Sequence, residues 1–201
     1  MSLNSDLIGL YGSIDSSDEL TAVNDILEVI GQSPVNSLRN QSDLDVSTAR
    51  RMLASENKRV QSKGWGFNTE ESTELFPDTF SGIIAYSHSY LRMLDPAGLT
   101  IYVNRDQRVY DTAARTDRFT SSIIVDLVVA RNLSEMPACF KELIVCTAAA
   151  RFNSSRFGDQ DVARDLNQRI MEARIDIADY EADFGRYNIL EDEFLQGMMR
   201  R

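Results

Sequence analysis

Two stretches of sequence decide the fold: residues 20–38, LTAVNDILEVIGQSPVNSL, and residues 49–70, ARRMLASENKRVQSKGWGFNTE. Apolar side chains recur in both at helical spacing, which is typical of a helix with one buried face. A glycine follows each pattern and favours a helix end there. We therefore predict helices at residues 19–30 and 46–63, with a change of structure at Trp65, the only tryptophan.

The second predicted helix combines an apolar side with a basic face. Its apolar side is Val46, Ala49, Leu53 and Val60. Only Asp45 and Glu56 accompany the cations of the opposite side, which are Arg50, Arg51, Lys58, Arg59 and Lys63. This pattern leaves two interpretations open, a solvated surface or an electrostatic contact with an acidic neighbouring copy.

Residues 65–131 read as a small β subdomain, because β-branched and aromatic residues replace the helical pattern. Three pieces are predicted in it: a half-buried strand through Trp65, Phe67 and Thr69, a hairpin with arms at 101–103 and 109–110 around a turn at 104–108, and a strand at 123–131. Residues 83–94 fit a strand or a helix equally well.

Two more helices are predicted after the β subdomain. The third has Ser134 as its N-cap and Pro137 in its first turn. Its apolar side is Phe140, Leu143, Ile144 and Phe152. The fourth spans residues 160–184 and ends at Gly185. Its heptad-like stripe is Leu166, Ile170, Ala173, Ile177, Tyr180 and Phe184. Its outer face is acidic and offers a counterpart to the basic face through Asp165, Glu172, Asp176 and Asp179.

The predicted fold class is α+β, mainly α, in one domain of 201 residues. An antiparallel helical bundle (17–64 plus 134–184) carries the inserted β extension (65–131) and an extended C-terminal arm (185–201). The arm is more apolar than a solvated tail requires, so we expect it to dock on a partner. Its candidate docking residues are Tyr187, Leu190, Phe194, Met198, Met199, Arg200 and Arg201.

The net charge of -10 is the strongest bulk signal. An acidic surface repels phosphate, so tight sequence-independent DNA binding is not expected of the whole chain, although DNA can pass close by. The first fifteen residues lack Lys and Arg, so no signal peptide is predicted, and no apolar run is long enough to cross a bilayer. We expect synthesis in the cytoplasm and no contact with a membrane.

The residues that carry chemistry are sparse. His88 is the only histidine, and no nucleotide-binding loop, zinc motif or EF-hand spacing is present. We therefore assign no catalytic, cofactor or metal residue. The alternative that stays open is a glycan hydrolase, which needs two facing carboxyl groups. Its candidates are Glu70, Glu71, Glu74 and residues 191–193.

The hairpin region carries cations and aromatic side chains together. Arg105, Arg108, Arg115 and Arg118 alternate with Asp106, Asp111 and Asp117. Balanced charge favours surface salt bridges over a DNA contact. Candidates for docking a partner there are Tyr102, Arg105, Arg108 and Tyr110.

Several ordered pieces of the chain resemble the tail tubular protein A family, the head-to-tail adaptors or gatekeepers of T7-like short-tailed phages. They are SDEL (17–20), AVNDILEVIGQSPV (22–35), ARRMLASENKRVQSKGWGFN (49–68), LFPDTFSGIIAYSHSYL (75–91), IYVNRDQRVYD (101–111), EMPACF (135–140) and ADFGRYNIL (182–190). No piece is a functional motif by itself, and the resemblance lies in their order and spacing.

The resemblance implies a non-enzymatic virion protein. Twelve copies would form a ring below the portal protein and above the nozzle, tail tubular protein B, with tail fibres attached near that junction. DNA would pass through the lumen without specific binding, so the ring would support tail assembly, DNA retention and DNA ejection. A bacterial regulator or chaperone with a helical bundle is the remaining alternative, and it leaves the ordered pieces without an explanation.

Overall fold

The computed structural model describes residues 17–29, 31–39 and 43–191, and side chains up to residue 183. Within these residues four helices and two small antiparallel sheets give the expected α+β class. The helices are α1 (Ser17–Glu28), α2 (Leu44–Gln61), α3 (Ala138–Arg156) and α4 (Gln160–Glu191). The strands are β1 (Thr69–Leu75), β2 (Tyr90–Leu94), β3 (Tyr102–Arg105), β4 (Arg108–Asp111) and β5 (Ile123–Val129). The described residues form two compact units, a helical unit (17–57 and 136–191) and a β unit (58–135).

In the helical unit, α3 packs against both α1 and α4. The four predicted apolar residues of α3 are all buried, as are Leu166, Ile170, Ala173 and Ile177 of α4. The rings of Phe140 and Tyr180 meet edge to face with their centroids 5.7 Å apart. The helical spacing therefore located the core correctly.

The C-terminal end of α1 has the predicted glycine geometry. Gly31 has φ of 71°, and its amide donates to the Glu28 carbonyl at 2.8 Å. The Gln32 amide donates to the Leu27 carbonyl at 3.1 Å, so two helix-end carbonyls have partners. The helix itself lies two residues earlier than predicted, and Ser17 and Asp18 form its first turn.

Two predicted helix ends are wrong. Ser134 lies in a 3-10 turn, Leu133–Glu135, and Pro137 takes the N-cap position of α3 instead. Gly185 does not end α4, which continues to Glu191. One glycine costs a helix only about 1 kcal/mol relative to alanine, too little to stop a long one. The rest of the predicted arm, residues 192–201, lies outside the described residues.

The β unit contains a three-stranded sheet in the order β1-β5-β2 and the separate β3–β4 hairpin. The ambiguous stretch 83–94 ends in a strand, β2, rather than a helix. The hairpin turn is shorter than predicted, because only Asp106 and Gln107 form it, with φ of 50° and 62°. The unit has its own core, formed by Ile84, Tyr86, Met93, Val109, Val125, Leu127 and Val129.

The predicted strand at Trp65 is wrong, since Gly66–Asn68 is a 3-10 turn and β1 begins only at Thr69. The buried amide of Asn68 explains the turn. Its oxygen accepts from the Trp65 amide at 2.9 Å, and its nitrogen donates to the carbonyls of Gln61 at 3.0 Å and Val129 at 3.1 Å. These hydrogen bonds stabilise a turn at the place where the alternating aromatic residues predicted a strand.

A second amide joins the end of α2 to the strand region. The Gln61 side chain donates to the Arg131 carbonyl at 3.0 Å and accepts from the Arg131 amide at 2.7 Å, much as a neighbouring strand would. The Trp65 indole donates to the Val60 carbonyl at 2.7 Å, which satisfies another helix-end group. Hydrogen bonds from the side chains of Gln61, Trp65 and Asn68 therefore fix the connection between α2 and β1.

Candidate assembly interfaces

The basic face of α2 is only partly available to a partner. Arg51, Lys58 and Arg59 are exposed, as is Lys63, which lies beyond α2 because the helix ends at Gln61 and not at residue 63 as predicted. Arg50, by contrast, is half-buried, and its Nε lies 3.0 Å from Glu19 Oε1. Among the described residues, no ion pair involves Arg51 or Lys58. These two cations therefore define the outward charge of α2.

The prediction that Glu56 shares the solvent side with the cations is wrong. Glu56 is only 1% exposed, and its carboxylate accepts a hydrogen bond from Arg151 of α3. Burial of a carboxylate requires such a partner, so Glu56 belongs to the packing of the helical unit. Glu56 therefore does not lie at the surface beside Arg51 and Lys58.

The acidic face of α4 lies in solvent. The four residues predicted for it are exposed, namely Asp165, Glu172, Asp176 and Asp179. They lie on one side of α4, since residues three or four apart share a helix face. At about 100° per residue this side is roughly 110° around the helix from the stripe that packs on α3. We call these four residues the acidic band. Each chain thus carries an outward cationic face and an outward anionic face on different helices.

The four hairpin candidates have different roles. Tyr102 packs towards Phe119, with ring centroids 6.4 Å apart, and Arg108 is paired with Asp117 at 3.2 Å. Both therefore serve the β unit itself. Arg105 lies over the Tyr110 ring with its guanidinium carbon 3.6 Å from the centroid, a cation–π stack at the surface. That stack is the part of the hairpin available to a partner.

The remaining docking candidates lie at the C-terminal end. Tyr187 and Leu190 are in the last turns of α4, where only the backbone is described. Outside the described residues are Phe194, Met198, Met199, Arg200 and Arg201. The arm as a docking element stays a prediction.

Sequence reasoning missed Phe80, which is 99% exposed. The loop that presents it is ordered by Asp78, whose carboxylate accepts from the Phe80 amide at 3.2 Å and from the Ser81 amide and hydroxyl at 2.8 Å. These bonds lower the pKa of Asp78, the Ser81 amide contributing most. The Phe119 amide donates to the Gly82 carbonyl at 2.7 Å and ties the loop to the next segment. The turn residues of PDTFSG were the available signal.

Two of the carboxylates proposed for a hydrolase have structural partners, whereas Glu71 is exposed and residues 192–193 lie outside the described residues. Glu70 pairs with Arg131 at 2.6 Å, and Glu74 accepts from the Ser122 hydroxyl at 2.6 Å. His88 is exposed in a loop. In the described part of the chain, no group of three or more potential metal ligands is assembled, and no helix is long and apolar enough to span a membrane. No geometry in these residues favours the hydrolase.

The two cysteines of α3 are free thiols. Cys146 is buried, and its sulfur donates to Glu142 Oε1 at 3.1 Å. Burial, followed by the Glu142 carboxylate, raises the pKa of the Cys146 thiol to about 12. Burial also raises the pKa of the half-buried Cys139 thiol. Both thiols are therefore weak nucleophiles at neutral pH.

Comparison with known proteins identifies the same family as the ordered sequence pieces. A family model described as tail tubular protein matches residues 20–187. The chain is also 30% identical over 119 residues to tail tubular protein A of Klebsiella phage KP34. That match covers 59% of this chain and 62% of the relative, so it spans less than two thirds of the relative's length.

Proposed function

The chain belongs to the tail tubular protein family and is a structural component of a phage tail, and from this premise we propose that it forms the adaptor ring between portal and nozzle. Twelve copies surround a channel for DNA in this proposal. The ring supports tail assembly, retains the packaged DNA and passes it during ejection. Tail fibres attach near the contact between adaptor and nozzle, and synthesis takes place in the host cytoplasm.

The observation that carries the proposal is the pair of complementary faces on one chain. Arg51 and Lys58 point outward on α2, and the acidic band points outward on α4. A contact between two different faces leaves an unused face of one kind on the first copy and of the other kind on the second, so further copies can add. Repeated around an axis, such a heterologous contact gives a ring when its rotation closes, and closure is part of this proposal.

The charge balance suits a channel for DNA. Each copy carries a net charge of -10, so a ring of copies presents a strongly negative assembly to the DNA phosphates. Repulsion prevents the protein from holding the duplex at fixed positions. DNA therefore moves through the lumen without specific binding.

The β unit offers a surface on which the nozzle can bind. Phe80 stands fully exposed on an ordered loop, and aromatic side chains held in this way act as anchors when they enter a partner's pocket. The Arg105–Tyr110 stack adds a polar and aromatic contact. We assign this surface to the nozzle.

A three-component binding experiment tests the function. The phage's portal and nozzle proteins, which do not bind each other directly in this proposal, should elute together from a size-exclusion column only when this chain is present. Separate elution of all three proteins contradicts the adaptor function.

The variant Phe80→Ser sharpens the experiment. It should weaken nozzle binding by about 30-fold or more, because a lost aromatic anchor costs about 2 kcal/mol or more, while portal binding and thermal stability stay unchanged. Leu99→Ser is the matched control, since Leu99 is also an exposed apolar loop residue of the β unit. Equal affinity of the Phe80→Ser variant and the parent removes Phe80 from the nozzle contact.

A further inference from the structure

Helix α4 carries a second apolar stripe in addition to the buried one. Met171 is 65% exposed and Ile175 is 61% exposed. Ala178 and Ala182 follow at steps of three and four and are exposed as well. We call these four residues the outer stripe. At about 100° per residue, its centre lies roughly 150° around the helix from the buried stripe.

The helical unit does not need the outer stripe for its own packing. The buried stripe already contacts α3, and the outer stripe faces solvent on nearly the opposite side of α4. Two large apolar side chains kept in water leave apolar area that only a further contact can bury. The alanines leave room for another helix to approach closely.

The surroundings of the outer stripe are asymmetric. Along one edge runs the acidic band, with Glu172, Asp176 and Asp179 next to the stripe in helical order. Along the other edge lies an open groove between α2, α3 and α4. It is lined by Met52, Ala150, Ile170, Met171 and Arg174, among others. Methionine side chains adapt to different partner shapes, so this edge can accommodate apolar contacts.

We propose that the outer stripe is the apolar centre of the contact between copies and that it receives the outward face of α2 from the neighbouring copy. This inference rests on the proposed ring and names its interface. The occupant follows from charge and shape, because α2 combines exposed Leu44 and Ser47 with Arg51 and with Lys58 on the same helix. The cations of α2 then face the acidic band.

The two faces can overlap over most of their length. The α2 face from Leu44 to Lys58 is about 21 Å long, and the outer stripe from Met171 to Ala182 is about 16.5 Å long, at 1.5 Å per residue. Leu44 is 65% exposed and supplies the apolar group that meets the stripe. An apolar centre beside charged pairs is the usual anatomy of a protein interface.

Crosslinking between two single-site variants tests the pairing. Ser47→Cys copies and Ala178→Cys copies are assembled separately and as a mixture, then treated with a short bismaleimide. Crosslinked dimers are expected only in the mixture, since each crosslink needs one α2 face and one α4 face. The parent chain controls for Cys139 and Cys146, whose raised thiol pKa values keep them weakly reactive.

Two outcomes of the crosslinking overturn the inference. Dimers from Ala178→Cys copies alone mean that α4 meets α4, and rings without any crosslink mean that the copies use other faces. In the second case the proposed ring itself stands, whereas in the first case a ring would need a further, heterologous contact. Absence of rings in electron micrographs of the parent chain mixed with its portal protein shows instead that the proposed function has failed, and with it the inference.

A charged substitution provides a second, independent readout. Ile175→Lys should raise the concentration needed for half-maximal assembly about tenfold or more and leave the melting temperature unchanged. Ile124→Lys is the matched control, because Ile124 is an exposed isoleucine of the β unit. Arg51→Glu should also weaken assembly, and Asp176→Arg in the same chain should restore part of it. Unchanged assembly of Ile175→Lys contradicts the proposal.

Discussion

Phe140→Ala is expected to lower the free energy of unfolding of the helical unit by about 3–5 kcal/mol. Phe140 is fully buried in α3, and its ring meets the edge of Tyr180 of α4. Removing the ring takes away apolar contacts and leaves a cavity that the neighbouring helices cannot fill completely. Urea denaturation followed by circular dichroism at 222 nm measures the loss.

The matched control for this substitution is Phe157→Ala. Phe157 follows the last turn of α3 and is largely exposed, so its replacement should change the free energy of unfolding by no more than about 0.5 kcal/mol. If the two variants lose equal stability, α3 is not the central helix of the unit.

Asn68→Leu is expected to destabilise the β unit by about 3 kcal/mol or more. The substitution removes the Asn68 amide from the half-buried Trp65 N–H and from the buried carbonyls of Gln61 and Val129, of which the Gln61 carbonyl keeps the Gly64 amide. Each buried group that loses its partner costs about 1–3 kcal/mol. Leucine has a similar volume, so the loss reports the hydrogen bonds rather than a cavity.

Trp65 is a convenient probe for this variant, because it is the only tryptophan and its amide bonds to Asn68 directly. Its fluorescence should report an earlier urea midpoint for Asn68→Leu. The control Asn132→Leu changes an exposed asparagine of the same unit and should retain the parent midpoint. A loss below about 1 kcal/mol for Asn68→Leu would mean that the turn at Trp65 is held by other contacts.

The elements that the sequence could predict are those with a regular apolar pattern. The apolar stripes of α2 and α4 and the two hairpin arms lie where spacing placed them, because burial on one face imposes a fixed period. The strand at Trp65 failed for a local reason. The Asn68 side chain forms hydrogen bonds with three backbone groups and so stabilises a turn. The spacing of apolar residues does not show that these bonds favour a turn over a strand. The missed continuation of α4 through Gly185 is similar, since packing and length outweigh one residue's propensity.

For the candidate interfaces, too, the exposed faces could be predicted from periodicity but the contacts of single residues could not. Periodicity placed Arg51 and the acidic band on exposed faces, because charges collect opposite an apolar stripe. It could not show that Arg50 pairs with Glu19 or that Glu56 is buried with Arg151, since those partners are distant in sequence. Exposure of Phe80 likewise depends on how its loop folds. The outer stripe of α4 was readable in principle from a helical wheel.

The family is that of a structural protein of the phage tail. The buried stripes hold α3 and α4 together, and the proposed contact between copies uses the exposed charged faces of α2 and α4. Assembly through such faces should weaken with salt to the extent that Arg51 and the acidic band contribute. The apolar outer stripe should make part of the contact insensitive to salt.

Negative-stain imaging of the chain mixed with its portal protein tests the central claim most directly. Closed rings with a central channel should be seen stacked on the portal, with twelvefold symmetry in averaged top views. Side views should show the ring on one end of the portal only. Bare portals beside unassembled chain, at concentrations where both proteins are folded, would contradict the adaptor function.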